Sequence, residues 1–215
     1  EFAYFFNALG TRVHLVERLG QLLPLEDAEV AQTLQRAFHK QGIQVHTQSS
    51  LEGVVLRENG VAAKVVSASG GGQPQQVEAD ALLVAIGVVP QLEGVFGAGM
   101  SPKLDARGYL AVDSRYQTSI PGVYAAGDII GPPWLAHVAT HRAVAAVDGL
   151  WGGATPRPMG VYPGCTYCSP QVASVGLTEQ AAQQAGVAYK VGKFPFAAVG
   201  KAVAMGETEG FVKVL

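Results

Sequence analysis

The sequence predicts an α/β fold, and three local patterns carry that expectation. A helix-period run at the start of the chain stops at a glycine and gives way to a strand that finishes on an acid. An Asn-Gly pair stands between two apolar stretches, and residues 81–87 form a short, continuous apolar run. The first pattern is part of a β–α–β unit, the second a hairpin, the third a strand buried on both faces.

In residues 1–9, Phe2, Phe5, Phe6 and Leu9 recur at helical spacing and Gly10 supplies the stop. Residues 11–17 place Val13 and Leu15 in alternation and end on Glu17. Helix, glycine and acid-tipped strand make the second half of a nucleotide-binding unit, so its first strand and glycine-rich turn are expected just before residue 1. A carboxylate at that tip accepts hydrogen bonds from both ribose hydroxyls and repels a 2′-phosphate, which favours NAD over NADP. A solvated strand-end glutamate is the other reading of Glu17, and the adjacent Arg18 weakens the discrimination. Residues 27–40 carry Val30, Leu34, Ala37 and Phe38 on one helical face, with Gly42 as the stop and a short strand over 43–47. Asn59-Gly60, between apolar runs 54–58 and 61–66, predicts a type I′ hairpin, because both turn positions need positive φ. A second turn at Gly70, Gly71 and Gly72 leads to a third strand over 76–81, completing a meander, and 81–87 then reads as a central parallel strand.

Residues 121–128 (PGVYAAGD) read as an apolar strand ending in Gly127-Asp128, with a loop through Gly131, Pro132 and Pro133 and a helix opening at Leu135. Glycine lets a ligand approach the backbone, and an aspartate beside it accepts from a ligand hydroxyl. The helix start offers free N–H groups to an electronegative ring edge or a phosphate.

Composition bounds the partners. Hydrophobic residues make up 48% of the 215 and charged residues 15%, below the roughly 25% usual in soluble proteins. That balance predicts a well-buried core or an interface covered by partner chains. A net charge of −2 provides no field to attract nucleic acid or anionic lipid. The longest apolar run, 81–89, is about half of what a membrane span requires, and no secretory signal pattern opens the chain. Two cysteines give no disulfide framework, and a cytoplasmic protein is the expectation.

Taken together, EFAYFFNALGTRVHLVE, ADALLVAIGVVPQ, GVYAAGDI, LAHVATH and CTYCSPQVASVGLTE, spread in order over residues 1–179, resemble the pyridine nucleotide–disulfide oxidoreductases, and within them the dihydrolipoamide dehydrogenase branch. The resemblance implies a Rossmann-like NAD-binding domain with a three-stranded β-meander over 1–94, the C-terminal segment of an FAD-binding domain over 95–155, and a truncated α+β dimerisation domain over 156–215. It implies FAD and NAD as cofactors. Glu1 is similar to the acid that closes the glycine-rich turn near the nicotinamide, Glu17 to the adenosine-ribose acceptor, and Leu51 to the apolar neighbour of adenine. Gly87 is similar to the glycine ending the last strand of the NAD domain, and Asp128 to the residue that binds the flavin ribityl chain. Leu135, Ala136 and His137 resemble the helix start that meets the pyrimidine edge of the isoalloxazine. For the parent enzyme the resemblance implies NAD-dependent oxidation of dihydrolipoyl groups through FAD and a redox disulfide, as a homodimer serving lipoyl domains of 2-oxo acid dehydrogenase complexes. A glutathione- or mercuric-reductase-like enzyme and a non-catalytic assembly module are the alternatives.

Val88 departs from the family's usual arginine, and Arg142-Ala143 from its usual Glu-Gly. Within these residues there is no FAD dinucleotide fingerprint, no Cys-x4-Cys disulfide and no His-Pro…Glu acid–base pair, so no catalytic residue is assigned and the chain alone is expected to be inactive. His137-x3-His141 with Cys165-x2-Cys168 has zinc-like spacing, but both pairs lie inside blocks with other roles, so no metal site is assigned. His14, His39 and His46 read as single residues, each exposed or satisfied locally. Trp134 and Trp151 read as packing residues.

Overall fold

The computed structural model describes residues 1–70, 73–151 and 160–215, arranged as two compact units: Glu1–Leu83 with Pro163–Leu215, and Val84–Tyr162. The domain boundary expected between residues 155 and 156 falls outside the described residues, as do two of the three glycines of the expected 70–72 turn.

The first unit is built around one helix. The opening helix α1 spans Phe2–Ala8 and leads to strand β1, His14–Val16. Helix α2, Ala28–Lys40, starts where the Asp27 side chain accepts from the Glu29 N–H at 3.0 Å, and ends before Gly42, whose φ is +88°. Strand β2, Gln44–His46, returns parallel to β1 in the register His14↔Gln44 to Val16↔His46. Odd and even positions therefore face opposite sides. Val13, Leu15 and Val45 pack with Leu22, Leu34, Phe38 and Ile43 against α2, joined by Cys168 and Val172 from the C-terminal segment.

Strands β3 (Ser49–Arg57), β4 (Gly60–Ser67) and β5 (Gln75–Ala79) form the expected antiparallel meander, with an irregularity between Glu52 and Val55. The hairpin differs in detail from its sequence signature. Arg57 pairs with Gly60, so the turn is centred on Glu58 and Asn59, and of these four residues only Gly60 has positive φ, at +140°. Gly60 is required by the third strand: a Cβ there would lie 2.3 Å from the Ala79 carbonyl oxygen. Gly60→Ala is expected to lower the urea midpoint of unfolding, at a cost above about 1 kcal/mol, since strain and a backbone clash coincide. An unchanged midpoint would show that β4 and β5 separate freely at this end.

The C-terminal segment adds two hairpins and two short helices. Strand β6 (Gly164–Thr166) pairs antiparallel with β7 (Val172–Ser174), and β8 (Gly192–Pro195) with β9 (Phe211–Val214). Helix α4 (Glu179–Gln184) lies between the two hairpins in sequence, and α5 (Gly200–Met205) between β8 and β9.

In the second unit two aspartate turns repeat. Asp105 Oδ1 accepts from the N–H groups of Arg107 and Tyr109, and Asp113 Oδ1 from those of Arg115 and Gln117. Gly108 takes φ +88° in the first turn and Tyr116 takes φ +64° at the matching position of the second. Helix α3 spans Ala136–Trp151 and buries Val138 and Ala146.

Two expected strands do not form. Residues 81–87 hold no strand, and Leu82, Leu83, Val84 and Ile86 are exposed, Ile86 at 94%. A central parallel strand needs a ladder neighbour to satisfy its backbone, and none runs beside these residues among those described. Residues 121–127 likewise contribute only the single bridge Gln117↔Tyr124. No helix among the described residues is long and apolar enough to cross a membrane.

Candidate functional site

The residues singled out from sequence fall into two groups, one in each unit. In the first, Glu17 sits at the tip of β1 and is held three times. Its N–H donates to His46 O at 2.9 Å, its carbonyl accepts from Ser49 N at 3.0 Å, and its Oε1 accepts from Leu19 N at 2.6 Å. Glu17 is half-buried, and a carboxylate with one oxygen engaged retains further acceptor capacity. Leu51 is two residues beyond Ser49 in β3, opposite Val65, so the bond from Ser49 brings this end of the meander to the acid-tipped strand. Glu1 precedes α1 and directs Oε1 to the Tyr167 N–H at 2.8 Å, toward the hairpin β6–β7.

His14 and His46 are not separate residues as their sequence positions suggested. They stand on the same face of the parallel ladder, with ring planes 1° apart and Nδ1 of His14 3.3 Å from Nε2 of His46. Burial, together with the charges of His14 and His39, holds the His46 imidazole below its ordinary pKa. The signal was available: a β–α–β crossover of this length sets the two strands side by side.

The second group surrounds Asp128. Gly127, φ +82°, leads into a 3-10 turn over Asp128–Ile130, and a Cβ on Gly127 would touch Ala139 Cβ of α3 at 3.4 Å. Asp128 lines an open groove of about 260 Å3 with Val88, Val89, Pro90, Gln91, Tyr109 and Ile129. Among the described residues no side chain or N–H donates to its carboxylate. An exposed acceptor with no donor among the described residues, beside a groove with apolar walls, has the chemistry to accept from a ligand hydroxyl. Half-buried Leu135 and exposed Ala136 and His137 form the entry to α3, where Leu135 N donates to Pro133 O at 3.1 Å. Gly87 belongs to this unit. Its φ is +130° and a Cβ would meet nothing within 4 Å, so the conformation, not crowding, selects glycine there.

The two cysteines differ in environment. Cys165 is exposed on β6, whereas Cys168 is buried and its Sγ donates to Pro170 O at 3.2 Å. Burial pushes the Cys168 thiol up, away from the reactive thiolate. No cluster of three or more His, Cys, Asp or Glu side chains among the described residues is arranged to hold a metal ion.

Sequence reasoning missed one dense cluster. Lys213 of β9, its side chain 7% exposed, donates to Asp27 Oδ1 at 2.9 Å and to Glu179 Oε2, with Glu29 Oε2 at 3.5 Å. Lys193 also donates to Glu29. Asp27 Oδ2 accepts from the Glu179 N–H at 3.3 Å, so one aspartate caps α2 and touches the start of α4. A polar groove of about 330 Å3 runs alongside.

Comparison with known proteins identifies the family of the chain. Residues 1–143 match the family model for pyridine nucleotide-disulphide oxidoreductases, and residues 162–215 match that family's dimerisation domain. Over its whole length the chain is 44% identical to the dihydrolipoyl dehydrogenase of Zymomonas mobilis and 42% to that of Chlorobaculum tepidum, covering 46% and 45% of those proteins. It is 35% identical to the dog mitochondrial dihydrolipoyl dehydrogenase, covering 42% of it. The chain thus spans about half the length of the curated relatives it matches. Among solved structures it is similar to the HOCl-induced flavoprotein disulfide reductase RclA of Escherichia coli, with TM-score 0.85 and 27% identity over 99% of this chain and 48% of that one. LpdA of Mycobacterium tuberculosis superposes with TM-score 0.85 and 28% identity over 99% of this chain and 45% of that one. FAD and NAD are the cofactors of this family, and the chain belongs to it: these residues are a member of the pyridine nucleotide–disulphide oxidoreductases.

Proposed function

We propose that this chain is the nucleotide-binding and dimerisation part of an NAD-dependent dihydrolipoyl dehydrogenase. The observation that carries the reading is its identity of 35–44%, along its entire length, to dihydrolipoyl dehydrogenases of bacteria and a mammal. Bound FAD supplies the two-electron relay: a dihydrolipoyl dithiol becomes a disulfide, losing two electrons and two protons, while NAD gains a hydride and one proton is released. This chain's residues bind and orient. Glu17 accepts from the adenosine ribose, Leu51 lies against adenine, and Glu1 lies on the nicotinamide side. Asp128 accepts from the ribityl hydroxyls of the flavin, and the α3 entry at Leu135, Ala136 and His137 meets the pyrimidine edge of its ring. Cys165 and Cys168 do not serve as the redox pair, because one is exposed on a strand and the other is buried with a raised pKa. Residues 1–94, 95–155 and 156–215 act as NAD, FAD and dimerisation segments. The whole enzyme works in the cytoplasm as a homodimer on lipoyl domains of 2-oxo acid dehydrogenase complexes.

A second reading, a reductase acting on a different disulfide, is favoured by the structural likeness to RclA. The identity there is lower, and Glu17 favours NAD. Steady-state assays of the intact flavoprotein separate the two. NAD reduction by dihydrolipoamide is expected to exceed any NADPH-driven reduction of glutathione disulfide or mercuric ion, and the reverse order overturns the proposal. Asp128→Ala is expected to weaken flavin retention roughly 10- to 100-fold, read by flavin fluorescence released on dilution, since it removes a charged acceptor. Unaltered retention would remove Asp128 from the site.

A further inference from the structure

The loop that carries Asp128 is tied down on three sides within its own unit. Below it, Leu110 N donates to Ile129 O at 3.0 Å. Beside it, the Trp134 ring lies 6.3 Å from that of Tyr109, which in turn carries the Arg107 guanidinium 5.5 Å from its centroid. The third tie comes from the helix. Arg142, in the second turn of α3, donates from Nη1 to Gly131 O at 3.1 Å and from Nη2 to Pro132 O at 3.0 Å. These carbonyls are consecutive, and a guanidinium is the side chain whose rigid fork meets two acceptors at once.

The first two ties fix the loop to the Asp105 turn. Only the third joins it to α3. The Asp128 turn and the α3 entry are separated by Gly131, Pro132, Pro133 and Trp134, and Arg142 fastens the first half of that link to the helix from which it would otherwise pivot. We propose that Arg142 is a positioning residue for the flavin: it sets the distance between the Asp128 carboxylate and the start of α3 by clamping the Gly131 and Pro132 carbonyls. The inference rests on the reading of Asp128 as the flavin-ribityl acceptor. Arg142 directs two of its donors to protein carbonyls, so its effect on the ligand is transmitted through the loop.

The test uses the intact flavoprotein with Arg142→Met, Arg142→Lys and Asp128→Ala, measuring the flavin dissociation constant, the visible flavin absorption and circular dichroism, and the melting midpoint of the flavin-free protein. Arg142→Met, which keeps the apolar stem and loses the fork, is expected to raise the dissociation constant about 10-fold or more and to blur the visible bands. Arg142→Lys, able to donate to the same carbonyls without the fork, is expected to recover part of that loss. Asp128→Ala weakening flavin while Arg142→Met does not would overturn the positioning role alone. Both variants retaining flavin would bring down the Asp128 reading and the Arg142 inference with it. Equal loss in Arg142→Met and Arg142→Lys, with a melting midpoint lowered to match, would assign Arg142 to general packing and likewise sink the proposal. Should Arg142→Met fail to fold, Arg142→Gln, with one amide reaching one carbonyl, gives the same comparison.

Discussion

Lys213→Met is expected to destabilise the chain by about 3 kcal/mol, the lower end of what removing one member of a buried ion pair costs. The lower end applies because the carboxylates it faces are unequally shielded: the Asp27 side chain is 13% exposed, that of Glu179 30% and that of Glu29 41%. Methionine fills the space of the lysine stem, so the loss reports charge and hydrogen bonding, with packing nearly constant. For a chain of this size the melting midpoint should fall by roughly 6–12 °C. Asp27→Asn added to Lys213→Met should recover part of the loss, because asparagine still caps α2 while one stranded charge is removed. If Lys213→Met melts with the wild type, the cluster is decoration.

The same cluster dictates a pH profile. Burial by itself would push Asp27 up, but hydrogen bonds from Lys213, Glu179 and Glu29 and the Lys213 charge outweigh it, and its pKa is lowered. That stability is present above the ordinary aspartate value and is lost as pH falls through the lowered one. For Lys213, burial would pull the ammonium down, yet hydrogen bonds to Glu179 and Asp27 and their charges win, and its pKa is raised. Its contribution is full below the ordinary lysine value and is lost as pH rises through the raised one. The cluster should therefore hold undiminished across neutral pH and weaken toward both extremes, and replacing Lys213 should flatten both limbs.

Why was this cluster not legible in the sequence? Asp27, Glu179 and Lys213 are spaced far apart in the chain, and each alone has an ordinary local role: a helix cap, a first-turn acid, a strand residue. Only tertiary packing brings the C-terminal segment onto α2. Features that are local in sequence were readable. The α1–Gly10–β1 order, the apolar face of α2 and the three-stranded meander all depend on period and turn chemistry. The hairpin was placed well but its turn was shifted by one residue, because strand β5 approaches Gly60 so closely that the glycine is needed in the ladder and not in the loop. Residues 81–87 failed in the opposite sense. Their apolar character is real, but a strand is a relation between neighbours, and the described residues offer no ladder partner. Candidate residues followed the same division: Glu17 and Asp128 stand out at the ends of short patterns, whereas the Arg142 fork and the His14–His46 contact exist only once the chain is folded.

The other large effect is expected at Glu17. In the intact flavoprotein, kcat/KM for NAD is expected to exceed that for NADP by roughly 10- to 150-fold, the range set by losing a charged hydrogen bond worth about 1.5–3 kcal/mol. The expectation is motivated by the way the side chain is held. Oε1 is engaged by the Leu19 N–H at 2.6 Å, and the backbone on either side is fixed by His46 and Ser49, so the side chain is oriented before any ligand arrives. An ionised carboxylate offers about four lone-pair directions; one bond to Leu19 leaves enough for two ribose hydroxyls. A 2′-phosphate in their place loses both bonds and brings negative charge against negative charge, softened by the exposed Arg18 next door. Glu17→Gln retains size and one acceptor while removing the charge. It should lower kcat/KM for NAD about 10-fold and shrink the NAD-to-NADP ratio by more than that, because the repulsion vanishes as well. Measuring both coenzymes with both proteins gives four numbers and one decisive comparison. Equal kcat/KM for NAD and NADP in the wild type would mean that Glu17 serves only its bond to Leu19, and that the strand tip holds no ribose.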